Sequence, residues 1–396
     1  MATPRELPGL YYDPVKNKYF PLSSRPKQQP TLLPVTPADE SHTLPSAPLS
    51  RINHSQKLCQ RSQSGQYSHQ LKAGHWSDIV ARSALIDTAL LPLQHNATAT
   101  ALGVIPDHAG TALVLGTLDG GLLASHPSLS ANRRWGKTYH MESRISAIAS
   151  SSSSWIATSF GSPCEIYFSA ASIDGGTLRT VSVSINARHV QDVCAAYFDG
   201  RNVALGGRKS IVMVDAEAGL GATYLTGSDV LSLDCYEHEL VAGARDGTVH
   251  IFDTRLHPKQ HSPDVLQGRI SKLSTSASQV KVVDYSVVVG SLAGHLEVFD
   301  LRFLRRKIND PEDCMPLLTL RGHVSSFSMN LPIAVTPDKS FVLAAGQDRR
   351  LRMWSLRNGA TVPLGDHLYE KAIVGLHVDE SNNIWVCTED RLHVLR

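Results

Sequence analysis

The stretch LVAGARDGTVHIFDTR, residues 240–255, carries the plan of most of the chain. An apolar run closes on the small residues Gly243 and Ala244. Arg245, Asp246 and Gly247 make a tight turn, and a second apolar run returns to Phe252 and Asp253. Two apolar runs around a Gly-containing turn read as a β-hairpin. The unit recurs in both directions. Towards the C-terminus come VVVGSLAGHLEVFD (287–300), VLAAGQDRRLRMWS (342–355) and IWVCTEDRLHVLR (384–396). Towards the N-terminus come NVALGGRKSIVMVD (202–215), WIATSFGSPCEIYFS (155–169) and ALVLGTLDGGLLAS (112–125). That makes seven. In chain order the third and fifth end in Asp, the fourth carries Asp253 at the same place, and the sixth ends in Ser. Six small anchors, Gly116, Ser159, Gly206, Gly243, Gly290 and Gly346, follow one another at 37 to 56 residues.

A lone hairpin is marginal in water, so each unit must pack face to face on its neighbours. Radial stacking of four-stranded blades, at about 40–45 residues each, accommodates this spacing. The reading is an all-β, seven-bladed WD-repeat β-propeller over residues 93–396. Gly322-His323 and Trp354 sharpen it, because WD repeats place Gly-His before the first strand and Trp at the end of the third. His323, Asp348 and Trp354 are then the members of a blade hydrogen-bond network. Ala345 stands where its Ser or Thr belongs, so the chain of bonds to the indole N–H is interrupted. Arg396 falls on the third strand of the last blade. The missing outer strand is expected from within about 85–96, tying the two ends together.

Ahead of the propeller lies an N-terminal, partly disordered extension. Residues 1–22 form an aromatic motif with Tyr11, Tyr12, Tyr19 and Phe20. It reads either as a tail folding back or as a short docking motif. Residues 23–53 are a Pro-rich linker that buries too little surface to offset chain entropy. Residues 54–92 are a candidate helical docking segment. Ser77-Asp78 can cap a helix through IVARSALIDTALL, although the end of that run can equally be a strand. Residues 41–77 hold no acidic residue and carry Arg51, Lys57, Arg61 and Lys72.

Composition excludes several classes. Apolar residues are 42% and charged residues 19%, which is apolar enough for a sizeable core. Net charge is +2, so direct nucleic-acid binding is not expected from the overall field. The 6 cysteines form no Cys-x-x-Cys pair and read as reduced thiols, with no metal site. No signal peptide or membrane span is legible, and the expectation is a soluble protein of nucleus or cytoplasm. No nucleophile motif, phosphate loop or dinucleotide fingerprint appears, so neither catalysis nor a cofactor is expected. Gly206-Gly207-Arg208-Lys209 reads as a turn between strands, with no following helix to hold a phosphate.

Two successive blades end alike. Residues 240–255 close on Phe252-Asp253-Thr254-Arg255, and residues 287–302 on Phe299-Asp300-Leu301-Arg302. Both arginines fall just past a third strand, on one rim. Such an arginine either pairs locally with its own Asp or offers a rigid fork of donors to a protein partner.

These boxes, with LPGLYYDPVKNKYF (7–20), TGSDVLSLDCYEHELVAGARDGTVHIFDTR (226–255), GSLAGHLEVFDLR (290–302) and residues 321–356, resemble the cullin-4-associated factors. That family consists of WD-repeat substrate receptors docked on the damage-specific DNA-binding adaptor of the cullin-4 RING ubiquitin ligase. The resemblance implies adaptor contacts by Arg255 and Arg302, oriented by Asp253 and Asp300, with Phe252 and Phe299 in the box. It also implies a helical adaptor-docking element where residues 54–90 stand, and a protein substrate on the opposite rim. Two features depart from the family. Phe252 and Phe299 replace a usual Trp, and Ala293 replaces a turn Asp that the first box keeps as Asp246. The rival reading is a ligase-independent scaffold in a nuclear assembly.

Overall fold

The repeat anchors mark where neighbouring blades touch. In the computed structural model a Cβ on Gly206 would sit 2.6 Å from Val230 Cγ1, and one on Gly116 would collide with Ile145. Val230 and Ile145 each belong to the first strand of the next blade, so only a residue without a side chain lets the two sheets close. Gly247 serves the turn itself: its φ is +86°, and a Cβ there would meet the Leu273 carbonyl.

The structure describes residues 10–13, 18–21, 72–74, 76, 87–93, 97–107, 110–125, 131, 133–151, 154–174, 177–187, 190–215, 221–255, 268–301, 315–325, 331–364 and 367–395. They form seven four-stranded antiparallel sheets and one two-stranded sheet. The seven blades cover 99–140, 145–187, 195–225, 230–272, 277–319, 333–362 and 373–395. Strands follow one another in sequence order within each blade except the last. There, Asp87–Leu90 supplies the outer strand beside Arg391–Leu395, with Thr88 opposite His393. Asp87 also accepts the Ala131 N–H of blade one at 2.8 Å. This strand lies within 85–96, where the outer strand was expected, and at the end of the candidate helical segment 54–92 that reads equally as strand, so the last blade draws on residues ahead of 93. A strand wins there because the last blade has an unpaired edge to fill.

Two units cluster separately, residues 1–58 and 59–396. In the first, Leu10–Asp13 and Lys18–Pro21 form a hairpin in which Tyr11 stands opposite Phe20 and Tyr12 opposite Tyr19. The second holds the propeller and a short helical stretch at Lys72–Gly74 and Trp76. Trp76 is 3% exposed and belongs to the apolar layer of blades six and seven, with Leu343, Met353, Tyr369 and Ile373. Lys72 pairs with Asp338 of blade six at 2.9 Å. Trp76 is thus committed to the propeller. The Pro-rich residues 23–53 lie outside the described residues, as do 54–71.

Interblade layers are apolar, with few titratable side chains. Two exceptions lie in blade seven. Burial pushes His377 on the first strand and His393 on the third down to about 4. For His377, nearby Lys281 acts in the same direction and Asp379 against it. The folded values lie below the ordinary 6.5, so the unfolded chain takes protons that the fold refuses. Their contribution is complete above about pH 6.5 and is lost as pH falls towards 4. At pH 5 each histidine removes up to about 2 kcal/mol. Thermal melts at pH 7 and pH 5 should show a lower midpoint at pH 5. The double variant His377→Gln, His393→Gln should flatten the difference.

Candidate interaction site

Antiparallel order places the first-to-second and third-to-fourth turns of every blade on one rim. Backbone bonds stitch the two kinds of turn together there: Thr254 N–H to His238 O at 2.8 Å, Leu301 to Tyr285 at 2.7 Å, and Leu356 to Ser340 at 2.9 Å. The first arginine box opens on this rim.

Phe252 is 1% exposed and stacks obliquely on Tyr224 of blade three, with centroids 5.1 Å apart. Phe299 is equally buried, in the layer with Val241, Ile251 and Val287. The sequence reading grouped both with the adaptor-binding residues. Their side chains fill interblade space and hold the strand end, because an aromatic at that register points into the neighbouring blade.

Asp253, one residue on, reaches the surface. It accepts from the Arg255 N–H at 3.0 Å, from Nε at 2.9 Å and from Nη2 at 2.6 Å. The Arg255 guanidinium holds the Asp253 carboxyl down to about 2, well below the usual carboxylate value. Arg255 itself has a side chain 67% exposed. Its Nη1 has no partner among the described residues. The box therefore presents a charged fork in a fixed direction, clamped by its own strand. Asp300 ends the third strand of blade five opposite Ser286, while Arg302 lies outside the described residues.

The same strand-end carboxylate recurs in blade three with a different partner. Asp215 is held by Arg201 Nε at 2.9 Å, from the first turn of that blade. Sequence reading missed Arg201 because the pair spans 14 positions and lies outside the box.

His323, Asp348 and Trp354 each find a separate partner. The His323 ring meets the Ala345 carbonyl at 3.1 Å, and the Trp354 indole donates to the Arg321 carbonyl at 2.9 Å. Asp348 takes a bidentate grip on Arg352 at 2.9 and 2.5 Å. The His323 and Trp354 rings stand edge-on with centroids 6.3 Å apart. With alanine at 345, the histidine reaches a main-chain carbonyl instead of a hydroxyl. Burial lowers its pKa.

Among the described residues, no group of three or more His, Cys, Asp or Glu can hold a metal, and no helix is long and apolar enough to cross a membrane.

Comparison with known proteins agrees with this architecture. Residues 314–355 match the WD domain, G-beta repeat family. The match runs from the outer strand of blade five through the third strand of blade six. WD repeat-containing protein 21 of Schizosaccharomyces pombe is 27% identical over 166 residues, 41% of this chain. The matched part spans only 37% of that relative's length. Among solved structures, the WD40 β-propeller domain of Doa1 superposes with a TM-score of 0.59 at 14% identity, over 77% of this chain and 94% of that one. The computationally designed Ika8 protein superposes at 0.53 and 15% identity, over 76% and 96%. At such identities the likeness concerns the fold. WD40 propellers are in general non-enzymatic surfaces for protein–protein interaction. Repeat and superposition together make the chain a seven-bladed β-propeller carrying a WD40 repeat, with a distant WD-repeat relative.

Proposed function

We propose that the chain is a non-enzymatic substrate receptor. It docks on the damage-specific DNA-binding adaptor of the cullin-4 RING E3 ubiquitin ligase, and through it on cullin-4, and presents a protein substrate for ubiquitination in nucleus or cytoplasm. The observation that carries this reading is Arg255. It is exposed, aimed by Asp253, and placed where the cullin-4-associated boxes resembled by residues 240–255 and 287–302 put their arginines. An arginine pre-oriented by a carboxylate loses little side-chain freedom on binding. Asp300 ends the neighbouring box on the same rim. No cofactor or nucleic acid enters this role.

A second reading is a ligase-independent scaffold in a nuclear assembly. The bidentate Asp253–Arg255 pair favours it, since the pair is also a complete local salt bridge. Stability separates the two. An exposed ion pair adds little to stability, so Arg255→Ala should leave the melting temperature unchanged within about 2 °C. The same substitution should weaken binding to the purified adaptor about 30-fold, equivalent to about 2 kcal/mol. Arg302→Ala is expected to act in the same way. Wild-type protein that fails to bind the adaptor would remove the ligase reading. A melting loss without a binding loss would favour the scaffold.

A further inference from the structure

We propose that the corner where blades four, five and six meet on the arginine rim receives a basic side chain, arginine above all, from a partner protein, and that Lys339 occupies this site in the free chain. The inference goes beyond adaptor docking and does not require it.

The corner is built from three first-to-second turns. Tyr236 ends the first strand of blade four. Tyr285, with Asp284 before it, forms the turn of blade five, and Lys339 lies in that of blade six. The two tyrosine rings stand edge to face with centroids 6.2 Å apart. The Lys339 ammonium lies over the Tyr236 ring, 5.6 Å from its centroid, and forms an ion pair with Asp284. A ring face beside a carboxylate is the chemistry that recognises a cation. Tyr285 remains 54% exposed.

The turn residues are chosen at a cost. Glu237, Asp284 and Lys339 have φ of 52°, 52° and 56°, the left-handed region where glycine sits without strain. Three charged side chains are kept in that conformation around one corner. The same conformation recurs elsewhere at Asp192, Lys209, Arg349 and Asn382, and at this corner it sets the turns that bring the three side chains together. Asp338, adjoining Lys339, is tied to Lys72 and accepts from the Ser340 N–H at 3.2 Å, which fixes the turn from its other side.

Charge selects the partner. Beside the corner the rim's first turns carry Asp199, Glu237, Asp338 and Asp379. Two of its described arginines, Arg201 and Arg255, are each engaged by a carboxylate, Asp215 and Asp253, while Arg357 stands exposed in the third-to-fourth turn of blade six. A cation is therefore favoured over an anion. Lys339 is displaceable. Its side chain is 49% exposed and that of Asp284 47%, and exposed ion pairs and exposed cation–π contacts are both weak. An incoming arginine binds better than the resident lysine, because its planar fork can grip Asp284 with two donors while its face lies on a ring.

The test uses the full chain with ring-labelled tyrosine and N-acetyl-arginine methylamide as the probe. Tyr236→Phe and Tyr285→Phe assign the two ring signals. Both signals should shift on titration, and the neutral glutamine analogue should move neither. Lys339→Ala should bind the probe about fivefold more tightly than wild type, by removing the internal competitor. Asp284→Asn should weaken it by at least as much. Circular dichroism melts confirm that each variant is folded. Ring signals that stay still in both wild type and Lys339→Ala would overturn the proposal. So would weaker binding in Lys339→Ala, which would make the lysine a contact for an anionic partner instead.

Discussion

A chain beginning at residue 97 should fail to form a stable propeller, whereas one beginning at residue 59 should melt as the full chain does. The difference between them includes Asp87–Leu90. In the shorter chain the third strand of blade seven, Arg391–Leu395, loses four paired partners. It also loses the Asp87 carboxylate that caps the Ala131 N–H. Leu91 and Leu93, which pack in the layer between blades seven and one with Trp385 and Val394, go with the strand. Burying a leucine side chain contributes about 2 kcal/mol, and each backbone bond about 1 kcal/mol. The loss is therefore roughly 5 kcal/mol or more, comparable with the stability margin of an ordinary domain. The exposed strand edge would in addition invite aggregation. The measurement is thermal melting and light scattering of the two truncated chains. A soluble, cooperatively melting 97–396 chain would show that the outer strand is dispensable. A synthetic peptide of residues 85–96, added in trans, should raise the melt part of the way if strand pairing contributes, the remainder being the loss of Trp76.

Trp76→Ala should lower the stability of the propeller by about 3–5 kcal/mol, the usual result of emptying a large buried aromatic site. Trp76 lies among Leu343, Met353, Tyr369 and Ile373, and 3% of its surface remains exposed. Among the described residues of its helix, Ala73 packs on the same layer and Lys72 pairs with Asp338 at the half-exposed surface, so Trp76 is the one large side chain there that the layer buries. The layer between blades six and seven should therefore open to solvent. Tyr369 reports the change directly. Burial raises its phenol pKa far above the ordinary range in the folded protein, so alkaline titration of the variant should return it towards 10. Trp76→Phe, which keeps a ring in the site, should recover most of the loss. A melt unchanged by Trp76→Ala would mean that the helix merely rests on the blades. Because Trp76 is held this way, a partner meeting residues 72–76 would find a helix already docked on the propeller.

The fold was legible because its signal is repeated. Seven hairpin units, with anchors at Gly116, Gly206, Gly243 and Gly290, give the same instruction again and again. A substitution that blurs one of them, such as Ala345 at a Ser/Thr position, leaves six others. The end closure was legible for a related reason. A last blade lacking its outer strand demands a donor, and the 85–96 stretch was the nearest supply. Its exact extent, Asp87–Leu90, took pairing with Arg391–Leu395 to define.

The interaction site was legible only in part. The Phe-Asp-x-Arg boxes drew attention to two strand ends, but a motif does not say which of its members face solvent. Phe252 and Phe299 turned inward and Arg255 outward, according to the strand register and the surface of the next blade. The corner of Tyr236, Tyr285 and Lys339 has no sequence signature, since its members come from three separate turns. Trp76 likewise meets blades six and seven across a long span of chain.

From its sequence alone, then, this protein determined the number of blades, the register of its hairpins and the need to tie its ends together. These follow from local periodicity and turn chemistry, which each segment carries within itself. The clamping of Arg255, the burial of Phe252 and Trp76, and the cation held between Tyr236 and Asp284 were decided only by the tertiary structure. Each depends on which side chains the closed ring brings within a few ångströms of one another, and short-range contact between distant segments leaves no period in the chain to be read.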